Sequence, residues 1–334
     1  MSALADRATR PRRDPASGSV LQVEDLRVYY ETPGGPVKAV DGVTFEVRAG
    51  ERFGLVGESG SGKSTIALAL MRLIKPPGHI VSGSIRVAGR DVAKLSDEEM
   101  RKLRLAGIAL VAQGAMNSLN PVTRVRDQIA DAIHDHGVRL RGQRLDERIR
   151  ELLEHVGLAP EVALMFPHQL SGGMKQRVCI AIAVSLWPNV ILADEPTSAL
   201  DVVVQRQVME TLGRLQEEVG AAVILVGHDM GLMAQFVHRV GVMYAGTLAE
   251  VSEVRDLFHR PLHPYTQLLI ASLPSLDENQ TELQGIGGMP PSLLNRPPGC
   301  PFRARCPKAM ARCAVEEPAL REVEPNRLVA CHLY

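Results

Sequence analysis

Several features that mark other classes of protein are scarce in this sequence of 334 residues. Only 4% of the residues are aromatic, and Lys plus Arg equal Asp plus Glu at 38 each, so neither a base-stacking surface nor a basic field points to nucleic acid. The longest apolar run, Val178 to Trp187, is about half the length of a bilayer span. Residues 1–19 contain no apolar signal core and predict a disordered leader. We therefore expect a soluble cytosolic protein that reaches a membrane only through partners.

Cysteine is also scarce, but four of the five cysteines lie in the last 35 residues, spaced C-x5-C-x6-C-x17-C. In a reducing compartment such crowding favours a metal site over disulfides. The spacing lacks the short knuckles of zinc ribbons, yet Zn(Cys)₄ and a Cys₄ [4Fe–4S] cluster carry the same net charge. On the residues alone, iron–sulfur, zinc and free thiols all stay open. The four are Cys300, Cys306, Cys313 and Cys331.

The most informative stretch is an octapeptide that fits G-x-x-x-x-G-K-[ST], the phosphate-binding P-loop. Arg52 to Val56 predicts a buried strand before it, and Thr65 to Met71 predicts a helix after it, which is the context that the motif requires. Its glycines let backbone N–H groups point at phosphate oxygens; Lys63 would reach the β- and γ-phosphates, and Ser64 would bind Mg²⁺. These flanks argue against a mere Gly/Ser turn. The octapeptide is Gly57, Glu58, Ser59, Gly60, Ser61, Gly62, Lys63 and Ser64.

Alternating apolar residues predict an antiparallel sheet ahead of the P-loop, over residues 20–47 with a turn at 32–36. Residues 83–95 predict a further hairpin. Within this sheet, Tyr29 or Tyr30 could stack on an adenine ring, or both could be plain sheet residues. The pattern does not choose between these roles.

The middle of the chain is mostly helical in period. The apolar segment 108–111 predicts a strand that ends near Gln113, which by itself would be a surface amide. Residues 127–158 alternate charged and apolar residues at helical spacing and predict a helical insert. In Leu170 to Arg177, Ser171 can cap a helix whose first glycines leave N–H groups bare at its positive end, which predicts a second anion site.

Two further apolar strands carry polar residues at their carboxyl ends. Val190 to Ala193 is followed by Asp194 and Glu195, at the edge of an α/β sheet where ligands bind. Asp194 fits a Mg²⁺ partner, and Glu195 fits the residue that polarises an attacking water. His228 follows the strand 222–226 and is expected at the same edge of the sheet.

In this order and spacing, residues 20–251 resemble the ATP-binding subunit of an ABC transporter. The resemblance implies an α/β P-loop NTPase core with an antiparallel β subdomain, a helical subdomain and a small Cys-rich C-terminal domain. It also implies ATP and Mg²⁺ as ligands. The sequence departs from the family pattern at Gly227, before the histidine, where the family often has Thr. By resemblance the motifs are Tyr30 as the A-loop, Gly57 to Ser64 with Thr65 as Walker A, Gln113 as the Q-loop, Ser171, Gly172 and Gly173 as the signature, Asp194 and Glu195 as Walker B, Asp201 as the D-loop and His228 as the switch histidine.

Residues 115–121, 260–266 and 299–307 narrow the resemblance to the oligopeptide/dipeptide importers. That branch implies a paralogous ATPase subunit, two membrane permeases and an extracytoplasmic binding protein, with this chain peripheral on the cytoplasmic face. Some of its members carry a cluster in this tail, which favours [4Fe–4S] over zinc. Nickel, glutathione and oligosaccharides are the alternative cargoes. The resemblance also assigns Mg²⁺ to Ser64, Gln113 and Asp194, and catalysis to Glu195, His228 and Gln113.

The expected domains are the leader at 1–19, an ATPase domain at 20–252 with its helical insert at about 114–170, and a C-terminal domain at 253–334. The C-terminal domain lies outside every ATP motif, so its role is expected to be structural. A soluble ABC ATPase of DNA repair or translation is the rival class, but those proteins carry two cassettes or a long coiled coil. A module that binds ATP without hydrolysis is the second rival, and Glu195 and His228 argue against it.

Overall fold

The computed structural model describes residues 18–114, 118–198, 200–273 and 285–334. Most of the predicted leader, and also Ala115, Met116, Asn117 and Ala199, lie outside these ranges. In chain order the described strands are β1 (Ser19–Thr32), β2 (Gly35–Arg48), β3 (Arg52–Val56), β4 (Gly78–Val87), β5 (Arg90–Asp91), β6 (Ile108–Val111), β7 (Val190–Asp194), β8 (Ala222–Val226), β9 (Arg239–Tyr244), β10 (Thr247–Glu253), β11 (Arg321–Glu324) and β12 (Arg327–Val329). The described α-helices are α1 (Lys63–Leu70), α2 (Asp97–Leu103), α3 (Val125–His134), α4 (Gln143–His155), α5 (Gly172–Val184), α6 (Val202–Val219), α7 (Met230–Phe236), α8 (Val254–His259) and α9 (Pro264–Ala271).

The chain forms two compact units, the first of which contains residues 18–21, 46–51 and the described part of 86–224. In it, β6 and β7 pair in parallel, with Ile108 opposite Val190 and Val111 opposite Ala193. All five residues of β7 are buried, as expected for a parallel strand covered on both faces. The parallel pairing brings the segments that follow β6 and β7 to the same edge of the sheet.

Helices make up much of the rest of the first unit. The buried residues of α3 and α4 recur every three or four positions, which gives each helix one apolar face. The segment of the predicted helical insert contains α3 and α4, and the chain turns between them with Gly137 and Gly142 at positive φ. Helix α2 begins at a capping box, in which the Ser96 hydroxyl accepts a hydrogen bond from the Glu99 N–H.

The second unit contains residues 22–45, 52–85 and the described part of 225–334. Its strands β2, β1 and β4 are neighbours in that order. The alternating pattern predicts the strands β1 and β2, but not the place of β4 beside β1. A second sheet runs β11-β12-β10-β9-β3, in which β3 is parallel to β9 and the others are antiparallel. The strand that leads into the P-loop and the last two strands of the chain thus belong to one sheet.

This sheet corrects one expectation about the C-terminal region. The sequence predicts a separate Cys-rich domain from residue 253 onward. Instead, Val329 of β12 lies opposite Glu250 of β10, and the C-terminal residues share one compact unit with the P-loop. A separate Cys-rich domain is therefore not supported. Among the described helices, none combines the length and the apolar composition that crossing a membrane requires.

Candidate functional site

The P-loop connects β3 to α1, as the sequence predicts. Two of its glycines are required by close contacts: a Cβ on Gly57 would lie 2.1 Å from the Met243 carbonyl oxygen, and one on Gly62 would lie 2.2 Å from that of Ala39. Both also have positive φ, at 146° and 104°. No side chain caps α1 at Gly62, so the helix offers its N–H groups to an anion.

Lys63 is buried and folds back over this loop. Its Nζ donates to the carbonyl oxygens of Gly57 at 2.7 Å and Glu58 at 2.9 Å, and to the Ser61 hydroxyl at 3.3 Å. The lysine therefore holds the loop in a ring-like shape with its charge inside. Ser59, Gly60 and Ser64 are exposed and Thr65 is half-exposed, so the outer side of the loop is open to a ligand.

The two candidate tyrosines of β1 have different surroundings. The Tyr29 hydroxyl donates to Asp41 Oδ1 at 2.7 Å. Burial is the largest cause, and this hydrogen bond the second, of a rise in the pKa of Tyr29 to about 12. The Tyr29 hydroxyl thus belongs to a half-buried polar cluster. Tyr30 is half-exposed and lies close to Gly78, where an added Cβ would come within 2.5 Å of its ring. Of the two, Tyr30 is the one available for stacking.

In the first unit, two sequence-predicted residues meet at the edge of the sheet. Gln113 follows β6, Glu195 follows β7, and Gln113 Nε2 donates to Glu195 Oε2 at 2.8 Å. Asp194, the last residue of β7, is buried and directly precedes Glu195 in the sequence. The parallel pairing of β6 with β7 accounts for this contact between residues that are 82 positions apart.

Glu195 also has an unusual backbone. Its φ is +44°, in the left-handed region that non-glycine residues seldom occupy. Such strain costs roughly 1–3 kcal/mol and is concentrated at functional sites. Here the strained residue is the carboxylate that the Gln113 amide holds, which directs attention to Glu195 as a reacting group.

The serine and glycines after Leu170 begin α5. The Ser171 hydroxyl accepts from the Met174 N–H at 3.3 Å and caps the helix, and Ser171 and Gly172 are exposed. Gly173, by contrast, is buried against α6, where an added Cβ would lie 2.4 Å from Val204 Cγ1. The exposed anion site is thus Ser171 and Gly172, while Gly173 allows two helices to approach closely.

Asp201 and His228 both occupy the ends of elements. Asp201 caps α6 by accepting from the N–H groups of Val203 at 3.1 Å and Val204 at 3.0 Å. His228 lies two residues past β8 and is exposed. Both are accessible on the surface of their own units, as residues that act on a ligand or on a second chain must be.

Comparisons with known proteins agree with these motifs. A family model described as "ABC transporter" matches residues 40–198, and one described as "Oligopeptide/dipeptide transporter, C-terminal region" matches 249–313. The chain is 42% identical to the oligopeptide transport ATP-binding protein OppD of Escherichia coli K12, over 98% of this chain and 97% of that protein. It is also 42% identical to the dipeptide transport ATP-binding protein DppD of Bacillus subtilis, over 94% of each.

The chain belongs to the ABC transporter family. It is an ATP-binding subunit of the oligopeptide/dipeptide branch, an ATPase that uses ATP and Mg²⁺. A solved structure of the ATP-binding cassette MJ0796, dimeric and bound to ADP and Pi, superposes with a TM-score of 0.63 at 29% identity, over 70% of this chain and 99% of that one. The superposition confirms the predicted P-loop NTPase fold.

The four C-terminal cysteines of this ABC ATPase lie near one another. The Cys300 N–H donates to the Cys313 carbonyl oxygen at 2.9 Å. Burial raises the pKa of Cys300 to about 11, and the charges of Cys313, Cys331 and Cys306 add to this. Within the described ranges, however, no three His, Cys, Asp or Glu side chains are arranged to hold a metal ion. The donors are near each other, but their present geometry does not fit a metal site.

Sequence reasoning missed a contact between Walker A and the C-terminal region of the ABC ATPase. Arg305 donates two hydrogen bonds to the Glu58 carboxylate, at 2.7 and 2.8 Å. The Glu58 N–H donates to the Tyr265 hydroxyl at 3.0 Å. Tyr265 is part of the 260–266 motif, which therefore supports the P-loop. The C-terminal region, which lies outside the ATP motifs in sequence, thus contacts the P-loop in the fold.

An aromatic cluster lies behind this contact. Tyr265 packs against Tyr244 of β9 with ring centroids 4.6 Å apart, and Phe302 packs against both, at 5.4 and 5.1 Å. Tyr265 and Phe302 are fully buried. Aromatic rings in this geometry stabilise one another by more than the burial of their surface alone provides. The cluster therefore supports the P-loop through Tyr265. The bond between Glu58 and Arg305 joins positions 247 apart, and no local pattern signals it.

Proposed function

We propose that this chain hydrolyses ATP to drive the import of oligopeptides or dipeptides through an ABC transporter. The observation that carries the proposed hydrolysis is the position of Glu195. Its backbone is strained, and its carboxylate accepts a hydrogen bond from the Gln113 amide at 2.8 Å. A carboxylate in this position can accept a proton from water. The cargo is inferred from relatives that match nearly the whole chain and are named for oligopeptide and dipeptide transport.

Each motif residue receives a role in this proposal. Lys63 and the bare N–H groups at the start of α1 bind phosphates, and Tyr30 stacks on adenine. Ser64, Gln113 and Asp194 hold Mg²⁺, which would neutralise charge on the phosphates. Carboxylate, amide and hydroxyl oxygens are the donors that Mg²⁺ prefers, so the residue types fit. Glu195 orients and deprotonates the attacking water, and His228 contacts the phosphate that leaves.

The assembly follows from the exposed position of the signature. We infer that Ser171 and Gly172 act on nucleotide bound by a paralogous ATPase subunit, and that Asp201 contributes to the same contact. Two permeases and an extracytoplasmic binding protein complete the transporter, and this chain is peripheral on the cytoplasmic face of the membrane. Nickel, glutathione and oligosaccharides are the alternative cargoes.

Reconstitution tests this function. The chain is assembled with its partner ATPase and permeases in liposomes, with the cognate binding protein added, and uptake of labelled dipeptides and oligopeptides is measured against labelled nickel, glutathione and an oligosaccharide. ATP-dependent peptide uptake that Lys63→Ala abolishes is the expected result. Uptake restricted to another cargo would refute the peptide assignment, and uptake without phosphate release would refute the ATPase assignment.

We propose that the four cysteines bind a [4Fe–4S] cluster after their side chains rearrange from the present geometry, with zinc and free thiols as the competing states. Their proximity supports it, and the lack of a ligand geometry among the described residues weighs against it. Four thiolate ligands would fix the fold of a loop-rich segment, and metal binding would contribute to its folding energy. Metal analysis of protein purified without oxygen decides the matter. We expect about four irons per chain and broad visible absorption; stoichiometric zinc, or no metal, would refute the cluster.

A further inference from the structure

Glu58 is the one acidic residue of the Walker A octapeptide, and all three of its polar groups are engaged. Its carbonyl oxygen accepts from Lys63 Nζ at 2.9 Å, inside the loop. Its N–H and its carboxylate both bind residues of the C-terminal region, Tyr265 at 3.0 Å and Arg305 at 2.7 and 2.8 Å. The loop that receives phosphate is thus fixed at Glu58 from outside the nucleotide-binding motifs.

The guanidinium of Arg305 uses all of its N–H donors in hydrogen bonds. A guanidinium has five N–H donors, and here the two bonds to Glu58 are joined by bonds to the Tyr244 hydroxyl at 3.2 Å and to the carbonyl oxygens of Gly287 at 2.8 Å and Ile286 at 3.2 Å. The Arg305 side chain is 5% exposed and that of Glu58 is 25% exposed. Because water reaches the pair poorly, salt screens it less than a surface ion pair.

The charge of Glu58 creates a requirement that Arg305 meets. An ionised carboxylate in a loop that binds a triphosphate repels the ligand, most strongly where little water separates the charges. A bidentate guanidinium both cancels this charge and fixes the direction of the carboxylate. A guanidinium is always charged at physiological pH, and the hydrogen bonds to Glu58, more than any other cause, raise the pKa of Arg305 further.

We infer that Arg305 is a positioning residue for ATP binding: it neutralises Glu58 and holds its carboxylate against the C-terminal region, so that Walker A can accept an anionic triphosphate. This deepens the proposed function and rests on ATP binding at this loop. It also gives the C-terminal region, conspicuous in sequence for its cysteines, a direct part in nucleotide affinity.

The test compares MgATP dissociation constants of full-length variants by titration calorimetry. Arg305→Met should raise the dissociation constant about tenfold, because it leaves a poorly solvated negative charge in the loop. Adding Glu58→Gln to that variant should bring affinity back to within about twofold of wild type, since the repelling charge is gone. Arg312→Met is the matched control: Arg312 also precedes a cysteine, but it pairs with Glu316 on the exposed surface, and affinity should not change.

The outcomes separate this inference from the proposed function. Wild-type protein that bound no ATP would refute both. Wild-type binding with unchanged affinity in Arg305→Met would refute the inference alone, and so would a loss that Glu58→Gln does not restore, because a purely structural contact is not repaired by removing a charge. If Arg305→Met does not fold, Arg305→Lys provides the test: it keeps the charge that neutralises Glu58 but loses the bidentate contact, so we expect a smaller loss of affinity, about threefold. A loss of about tenfold or more in Arg305→Lys, or no loss at all, would refute the inference.

Discussion

At the scale of single residues, Glu195 and Tyr30 differ in how their environments arise. Glu195 carries a strained backbone with φ of +44° and receives a hydrogen bond from Gln113, so its position is specified twice. Tyr30 is the tyrosine available for stacking on adenine, because the hydroxyl of Tyr29, on the other face of β1, is already bonded to Asp41. The alternation of the strand predicts that the two tyrosines face opposite ways, but the position of Asp41 was needed to tell them apart.

Glu195→Gln should lower ATP turnover by roughly a hundredfold or more, which is the size expected for loss of a general base. Glutamine can still accept the hydrogen bond from Gln113, so the fold and ATP binding should persist. Phosphate release from the reconstituted complex measures the effect. Glu210→Gln, which changes an exposed carboxylate paired with Arg206, serves as the control and should turn over normally. Turnover near the wild-type rate in Glu195→Gln would remove Glu195 from the proposed role.

At the scale of elements, α9 begins at a buried histidine. His263 Nδ1 accepts from the Tyr265 N–H at 3.0 Å, which requires an unprotonated nitrogen at that position. Burial lowers the pKa of His263 to about 4, so the neutral form persists in the folded protein well below the ordinary pKa. The cap of α9 and the position of Tyr265 under the P-loop therefore depend on a neutral imidazole.

This gives a pH dependence with a definite sign. The folded pKa of His263 is below the unfolded value of 6.5, so the unfolded state binds more protons between pH 6.5 and 4, and stability is lost as pH falls through that window. His263→Asn keeps a capping acceptor but cannot titrate, and between about pH 7 and pH 5 it should remove roughly 2 kcal/mol of this pH dependence.

Urea unfolding of both proteins at pH 5 and 7 measures the difference. Glu250, whose pKa burial raises, is present in both and cancels in the comparison. Equal losses of stability in wild type and His263→Asn would show that His263 is not the group responsible.

At the scale of the whole molecule, the two units carry different parts of the proposed reaction. The second unit contains Walker A and the C-terminal region that supports it, and the first contains Gln113, Glu195 and the signature. Ser171 and Gly172 of the signature are exposed, and in the proposed function the nucleotide of a second ATPase chain lies against them.

Ser171→Arg should therefore abolish ATP-driven uptake while this chain still binds ATP at Walker A. The new side chain removes a helix cap, which costs about 1 kcal/mol, and places bulk where the partner's nucleotide would lie. Uptake by proteoliposomes and ATP binding by the chain are measured together. Ser96→Arg removes the corresponding cap of α2 and should leave uptake intact. Normal uptake with Ser171→Arg would contradict the shared site.

Local sequence predicted much of this molecule, because motifs such as the P-loop and strands such as β7 are contiguous and their residue types are restricted. The bond between Gln113 and Glu195 needed the register of β6 against β7. Arg305 lies 247 positions from Glu58, and in the sequence the nearby cysteines, not Arg305, indicated a functional role. The C-terminal residues were expected to form a separate unit because their pairing with β10 leaves no periodic pattern over so short a strand.

The order of strands in the second unit has a consequence for synthesis of the chain. Strand β3 pairs with β9, and the neighbouring Arg52 and His238 that bond to each other are 186 residues apart. A ribosome must therefore make nearly the whole first unit before β9 can pair with β3, and one edge of β10 stays open until β12 is made. Unpaired edges of this kind invite association between chains. During synthesis, the strand that leads into the P-loop thus keeps the edge that faces β9 unpaired until residues 239–244 have been made.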